Sequence, residues 1–168
     1  SEAVVAKCHG VPRQPLRLVL DSQGISDPSL QLFAATESLF PRSPVAILTS
    51  DRCVDRLKTK SFANHVLIKP VPLASSGSLE LSAVMNLLGE WQCNELLVEA
   101  GPALAGALID QHLVDELWLY QSNKLMGNKS RGAFNLPNYD QLEQVPALRL
   151  LDQRRVGDDT RMIFSLST

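Results

Sequence analysis

The stretch LLVEAGPALAGALI, Leu96–Ile109, decides how the chain is read. Its first part is apolar and closes on a carboxylate, Glu99, the pattern of a buried strand over Glu95–Ala100. Ala100-Gly101 supplies a small-residue turn, and Pro102 suits the first turn of a helix, where a missing N–H costs nothing. The helix predicted over Pro102–Gln111 has Ala103, Ala105, Gly106 and Ala107 along its first turns. Small side chains at such a junction let another backbone, or a ligand, approach the free N–H groups of the helix terminus. Those groups, with the helix dipole, favour a phosphate or pyrophosphate. In an open α/β sheet the ligand crevice lies at the carboxyl ends of the strands, where this junction falls. The same residues equally suit a glycine turn with close helix–sheet packing and no ligand. Glu99 equally suits a surface charge at a strand end; buried, it would need a hydrogen-bond partner.

Outward from this stretch, strands and helices alternate. Leu16–Asp21 (LRLVLD), Val45–Ser50 (VAILTS) and Val66–Ile68 read as short buried strands, the last stopped by Lys69-Pro70. A helical turn is expected around Val54–Leu57. Leu81, Val84, Met85, Leu87, Leu88 and Trp91 recur at helical spacing, so Leu79–Trp91 reads as an amphipathic helix. The Ser75–Ser78 cluster before it offers N-cap residues. Val114–Gln121 (VDELWLYQ) is strand-like. Asn123–Pro146, with Gly127, Asn128, Gly132, Pro137 and Asn138, reads as a long loop of the kind used for function or for an interface. Leu148–Arg154 and Thr160–Leu166 close the chain as a hairpin around Gly157-Asp158-Asp159. The pattern implies right-handed βαβ units in a mostly parallel sheet with helices on both faces and a C-terminal antiparallel hairpin at one edge. No repeat or composition break divides the chain, so 1–168 is expected to be one domain.

With 45% hydrophobic and 20% charged residues and a net charge of −2, the composition is that of a globular protein. It offers no electrostatic attraction to nucleic acid or to an anionic membrane. Cys8, Cys53 and Cys93 are scattered and odd in number, which argues against a disulfide framework and a zinc site. His9, His65 and His112 also lack metal-ligand spacing, and no metal is expected. No apolar run approaches the ~20 residues of a membrane span, and no signal-peptide core is present, so a cytoplasmic protein is expected. A GxSxG elbow, a P-loop and an HxE/PCxxC deaminase signature are all missing. Asp21-Ser22 reads as an Asx or Ser turn, or as a place where the Ser22 hydroxyl donates to a phosphate. No catalytic acid stands out.

The strings QPLRLVLDSQ (Gln14–Gln23), LLVEAGPALAGALIDQHLVDELWLYQSNKLMG (Leu96–Gly127) and RGAFNLP (Arg131–Pro137) resemble the reductase domain of bifunctional riboflavin-biosynthesis deaminase–reductases. Their order and spacing agree from Gln14 to the C-terminus. The resemblance implies an α/β, dihydrofolate-reductase-like fold. It also implies hydride transfer from NADPH to the ribosyl anomeric carbon of 5-amino-6-(5-phosphoribosylamino)uracil. By residue match it implies cofactor contacts at Ser22, Gly101, Pro102, Ala103, Leu104, Ala105, Gly106 and Ala107, and a substrate contact at Glu99. The hydride chemistry belongs to the cofactor, and the protein's part is orientation and electrostatics.

The chain departs from the family pattern in two places. Asn123 stands where a proline usually precedes the Lys-Leu-x-Gly string. The Ser-Leu-Asp-Gly-type string, the Trp-containing segment and the zinc deaminase domain that normally come earlier do not appear. The expectation is therefore a reductase domain lacking its first strand region, weak or inactive alone, with zinc confined to the absent domain. An open sheet edge would pair with a second copy, so a homodimer is expected. Two rivals remain: a stand-alone NADPH pyrimidine or pterin reductase of the same fold, and a non-catalytic ligand-binding or assembly module.

Overall fold

A computed structural model describes residues 15–33 and 44–166, and their contacts divide the chain into two compact units between Asn94 and Glu95. In the first unit, β1 (Arg17–Asp21), β2 (Val45–Thr49) and β3 (Val66–Pro70) form a parallel sheet in the order β1-β2-β3. Arg17 stands beside Val45, and Val45 beside Val66. Every residue of β2 is buried, as a central parallel strand covered on both faces must be. Because side chains alternate across a strand, its residues feed two separate cores. Val45 and Ile47 pack with Phe33, Leu57, Val19, Val66, Ile68 and Phe62. Leu48 packs with Val71, Leu79, Val84 and Leu88, flanked by Leu18 and Leu20.

The two helices of this unit cover those two cores. Helix α1 (Asp51–Lys58) contributes Leu57 to one, and α2 (Leu81–Glu90) contributes Val84 and Leu88 to the other. Helices therefore lie on both faces of the parallel sheet, as expected. Helix α1 runs longer than its apolar residues indicate, with Asp51 in its first turn and Arg56 and Lys58 in its last, the arrangement that suits a helix dipole. The serines at 75–78 cap nothing. They sit in a turn closed by the Gly77 amide on the Ala74 carbonyl at 2.9 Å, and Glu80 occupies the N-cap of α2.

In the second unit, helix α3 (Pro102–Asp110) precedes β4 (Glu116–Gln121), β5 (Leu148–Val156) and β6 (Asp159–Leu166), which form an antiparallel sheet in the order β4-β6-β5. Val156 pairs with Asp159 across a two-residue turn, where Gly157 adopts φ 61, a left-handed conformation that glycine takes without strain. Arg161 of β6 is buried, pairs with Asp152 of β5, and lies 5.0 Å from the centre of the Trp118 ring. A buried guanidinium requires such a partner, and the indole face adds a cation–π contact.

Two expectations are corrected. Glu95–Ala100 does not form a strand: its residues belong to no ladder among the described residues, and Leu96, Leu97 and Val98 are exposed. An apolar run supplies side chains for a strand, but strand formation also needs a neighbour to share its hydrogen bonds. The C-terminal hairpin pairs with β4 in a sheet of its own instead of extending the edge of the parallel one.

Ile47 is wholly buried at the middle of β2. Ile47→Ala should cost about 2–5 kcal/mol, read from the urea midpoint. A loss below about 1 kcal/mol would show that β2 does not carry this core.

Candidate functional site

Helix α3 begins bare. Gly101 occupies its N-cap in an extended conformation, no side chain caps the helix, and its first turn holds no acidic residue. Pro102, the first helical residue, has no N–H. The Ala105 amide bonds to the Gly101 carbonyl at 3.1 Å, so Ala103 and Leu104 contribute the amides that a helix start leaves without an intrahelical acceptor. Apart from its own chain neighbours, no atom of the described residues lies within 4 Å of where a Cβ on Gly101 would stand. Ala103 is exposed, and Leu104, Ala105 and Ala107 are half-buried. Free donors, the positive end of a helix dipole, open space and no opposing carboxylate in the turn together fit a phosphate or pyrophosphate.

The other expected residues of this unit behave differently. Gly106 is buried, and its side is closed by backbone: a Cβ there would stand 2.2 Å from the Asn135 carbonyl oxygen. Close packing thus accounts for Gly106, while Gly101 stays open. Glu99 is exposed on the segment before the helix, which removes the cost a buried carboxylate would carry.

In the first unit, the expected contact Ser22 lies just past the carboxyl end of β1, in a turn built by Asp21. The Asp21 carboxylate is buried and accepts the amides of Ile25 at 3.0 Å and Ser26 at 2.7 Å. The Thr49 hydroxyl donates to the Asp21 carbonyl at 2.7 Å, and the Ser50 hydroxyl to the Ser22 carbonyl at 2.9 Å. Lys60 Nζ reaches the carbonyls of Gly24 at 3.2 Å and Ser26 at 2.6 Å. Gly24 adopts φ 63, and a Cβ on it would stand 2.9 Å from Arg56 Nη2 and from Cys53 Cβ, so both conformation and space require glycine. The turn is therefore fixed by its backbone, which fixes the Cα from which the half-buried Ser22 side chain projects.

Cys53 was legible in the sequence only as a scattered thiol. Here it donates to the Ser22 carbonyl at 3.7 Å, and hydrogen bonds from Ser50 and then Arg56 hold it below the usual thiol range. Two open cavities are also present among the described residues. One of about 500 Å³ is lined by Asn123, Gln153, Arg154, Arg155 and Thr160. The other, of about 290 Å³, is lined by Ser50, Asp51, Arg52, Val71 and Leu73. In the larger one Asn123 is engaged by the Asp158 carbonyl, and Arg155 by the Gly157 carbonyl and Asp158. Among the described residues, no three His, Cys, Asp or Glu side chains gather to hold a metal ion.

The family model of the RibD C-terminal domain matches residues 2–162. The riboflavin biosynthesis protein RibD of Haemophilus influenzae is 35% identical over 153 residues, covering 91% of this chain and 37% of the relative. A 5-amino-6-(5-phosphoribosylamino)uracil reductase of Buchnera aphidicola subsp. Acyrthosiphon pisum is 24% identical over 155 residues, covering 91% of this chain and 68% of the relative. The solved structure of Acinetobacter baumannii RibD, form 2, aligns with a TM-score of 0.72 at 21% identity, over 96% of this chain and 42% of that one. The chain thus spans well under half the length of the RibD proteins it matches, and its fold is the α/β, dihydrofolate-reductase-like fold expected.

Asp21 gives this region a pH signature. Burial pushes its carboxyl up, but hydrogen bonds from the Ser26 side chain and from the Ser26, Ile25 and Gly24 amides outweigh burial and hold it below the ordinary value. A depressed folded value means the stabilisation is present above the unfolded value of about 3.9 and is lost as pH falls through the folded one. Stability should therefore drop on acidification below about pH 4, and less steeply in Asp21→Asn, as followed by urea unfolding at a series of pH values. Equal slopes for parent and variant would contradict this role.

Proposed function

The chain belongs to the RibD C-terminal domain family, and on that premise we propose that it is the NADPH-dependent reductase part of a riboflavin-biosynthesis deaminase–reductase. The observation that carries this reading is the bare start of α3: open space at Gly101, a proline at the first position and no acidic residue in the first turn. Such a terminus binds a pyrophosphate through its backbone. The substrate is 5-amino-6-(5-phosphoribosylamino)uracil, the compound in the name of the Buchnera relative. NADPH, when bound, supplies the hydride for the ribosyl anomeric carbon.

The residues of the chain bind and orient. The amides of Ala103 and Leu104 would hold the cofactor's pyrophosphate, and Gly101, Pro102, Ala105, Gly106 and Ala107 would form the rest of its loop and helix start. Ser22, whose backbone the turn fixes, is a further cofactor contact through its hydroxyl. Glu99 accepts hydrogen bonds from donors of the substrate, and its exposure leaves it free to do so. Residues 1–168 act as one reductase-type domain, a reading supported by a family match that runs through both units. The protein is a cytoplasmic homodimer with no nucleic-acid or membrane partner. The free thiol of Cys53 and the net charge of −2 support the first and last points. The dimer is supported by β4 and β5, each of which pairs on one side alone among the described residues.

Titration of NADPH followed by its fluorescence should show binding by the parent chain and at least about tenfold weaker binding by Gly101→Asp, a difference of about 1.4 kcal/mol. Equal affinities would remove the α3 terminus from the cofactor site. Sedimentation equilibrium should give twice the chain mass, and a monomer at high concentration would exclude the dimer.

A further inference from the structure

Helix α3 offers one stripe to the loop that follows β4. Pro102, Gly106 and Asp110 stand four residues apart and so share a face, and each meets the segment from Asn135 to Tyr139. The Asn135 amide donates to the Pro102 carbonyl at 2.9 Å. Over Gly106, the Asn135 carbonyl oxygen, carbonyl carbon and amide nitrogen would stand 2.2, 2.7 and 2.9 Å from a Cβ. The Tyr139 hydroxyl donates to Asp110 Oδ1 at 3.4 Å. Removal from water and the Asp110 carboxylate push that phenol up, which keeps the donor protonated. A segment without helix or strand is thus held to α3 at three successive turns, twice through its own backbone.

The stripe has one end at the turn that carries the free amides. The carbonyl bonded by Asn135 belongs to Pro102, the residue directly before Ala103. A carbonyl has two lone pairs, so the Pro102 oxygen takes this bond in addition to its place in the helix. Backbone-on-backbone contact at Gly106 leaves no flexible side chain to yield. A methyl group there must move either the helix or the segment.

We infer that Asn135–Tyr139 is a strap that sets the position of the first turn of α3, and that Gly106 and Asn135 are positioning residues for the cofactor's pyrophosphate. This rests on the cofactor reading above. Gly106 serves the cofactor through the helix it seats, and Asn135 through its backbone. Displacement of oriented groups by about 1 Å can cost on the order of 100-fold in the interaction they make, so a seated helix and a shifted one bind an anion differently.

The test is NADPH affinity of the folded chain for Gly106→Ala and, separately, Asn135→Pro, with melting temperature and hydrogen exchange measured alongside. Alanine is the better helix former, so weakened binding by Gly106→Ala does not reflect loss of the helix. Asn135→Pro removes the amide donor while leaving Gly106 bare, and keeps the question answerable if the alanine variant fails to fold. Each should bind NADPH about tenfold more weakly, and the double variant no more weakly than the worse single one, because both act on one contact. The amide of Asn135 should be protected from exchange in the parent and exposed in Gly106→Ala. In an active enzyme, KM for NADPH should rise while kcat is kept. Affinity at the parent value in both variants, whatever the melting temperature, would reduce the strap to a structural contact and overturn the inference. If Gly101→Asp still loses binding in that case, the cofactor reading survives; if it too binds like the parent, both fall.

Discussion

Helix α3 can be held as it is only because one of its residues lacks a side chain. At Gly106 the backbone of Asn135 comes so near that a Cβ would overlap its carbonyl. The contact is reinforced one turn earlier by the Asn135 amide on the Pro102 carbonyl. With that side of the helix fixed, its first turn carries no side-chain cap and no acidic residue. Gly101 opens space, Pro102 has no amide to satisfy, and Ala103 and Leu104 are left with donors that the helix cannot use. A helix end in this condition favours an anion, the property on which the proposed pyrophosphate site rests.

The first unit solves a different problem with the same economy. Its sheet is three short parallel strands, stable because β2 is buried on both faces and passes apolar side chains alternately to α1 and α2. At the carboxyl end of that sheet the chain turns through Ser22, and the turn is held by Asp21, Thr49, Ser50 and Lys60 acting mainly on backbone groups. Polar residues at strand ends, which cost free energy if buried alone, are satisfied there by one another.

Much of this is legible in the amino-acid sequence. The strands β1, β2 and β3 follow from apolar runs closed by turn residues, α2 from helical spacing, and α3 from Pro102 and the small residues after it. A turn follows Asp21 as its position indicates, but it is not an Asx turn: the carboxylate accepts the amides of Ile25 and Ser26, four and five residues on. What escaped the sequence depends on partners distant along the chain. Glu95–Ala100 has the composition of a strand, yet composition says nothing about a neighbour. The meaning of Gly106 lies in Asn135, and Asn135 acts through its backbone, so its side chain carries no signal. Arg161 looks like a surface arginine until the register of β5 and β6 brings Asp152 beside it and β4 brings Trp118.

The most direct measurement is amide chemical-shift mapping by nuclear magnetic resonance while NADPH is added to the isotopically labelled chain. The amides of Ala103 and Leu104 should show the largest shifts, with Gly101 following. Shifts confined to Asn123 and Gln153–Thr160, around the hairpin cavity, or no response at Ala103 and Leu104 at saturating NADPH, would contradict the assignment of the α3 terminus as the cofactor site.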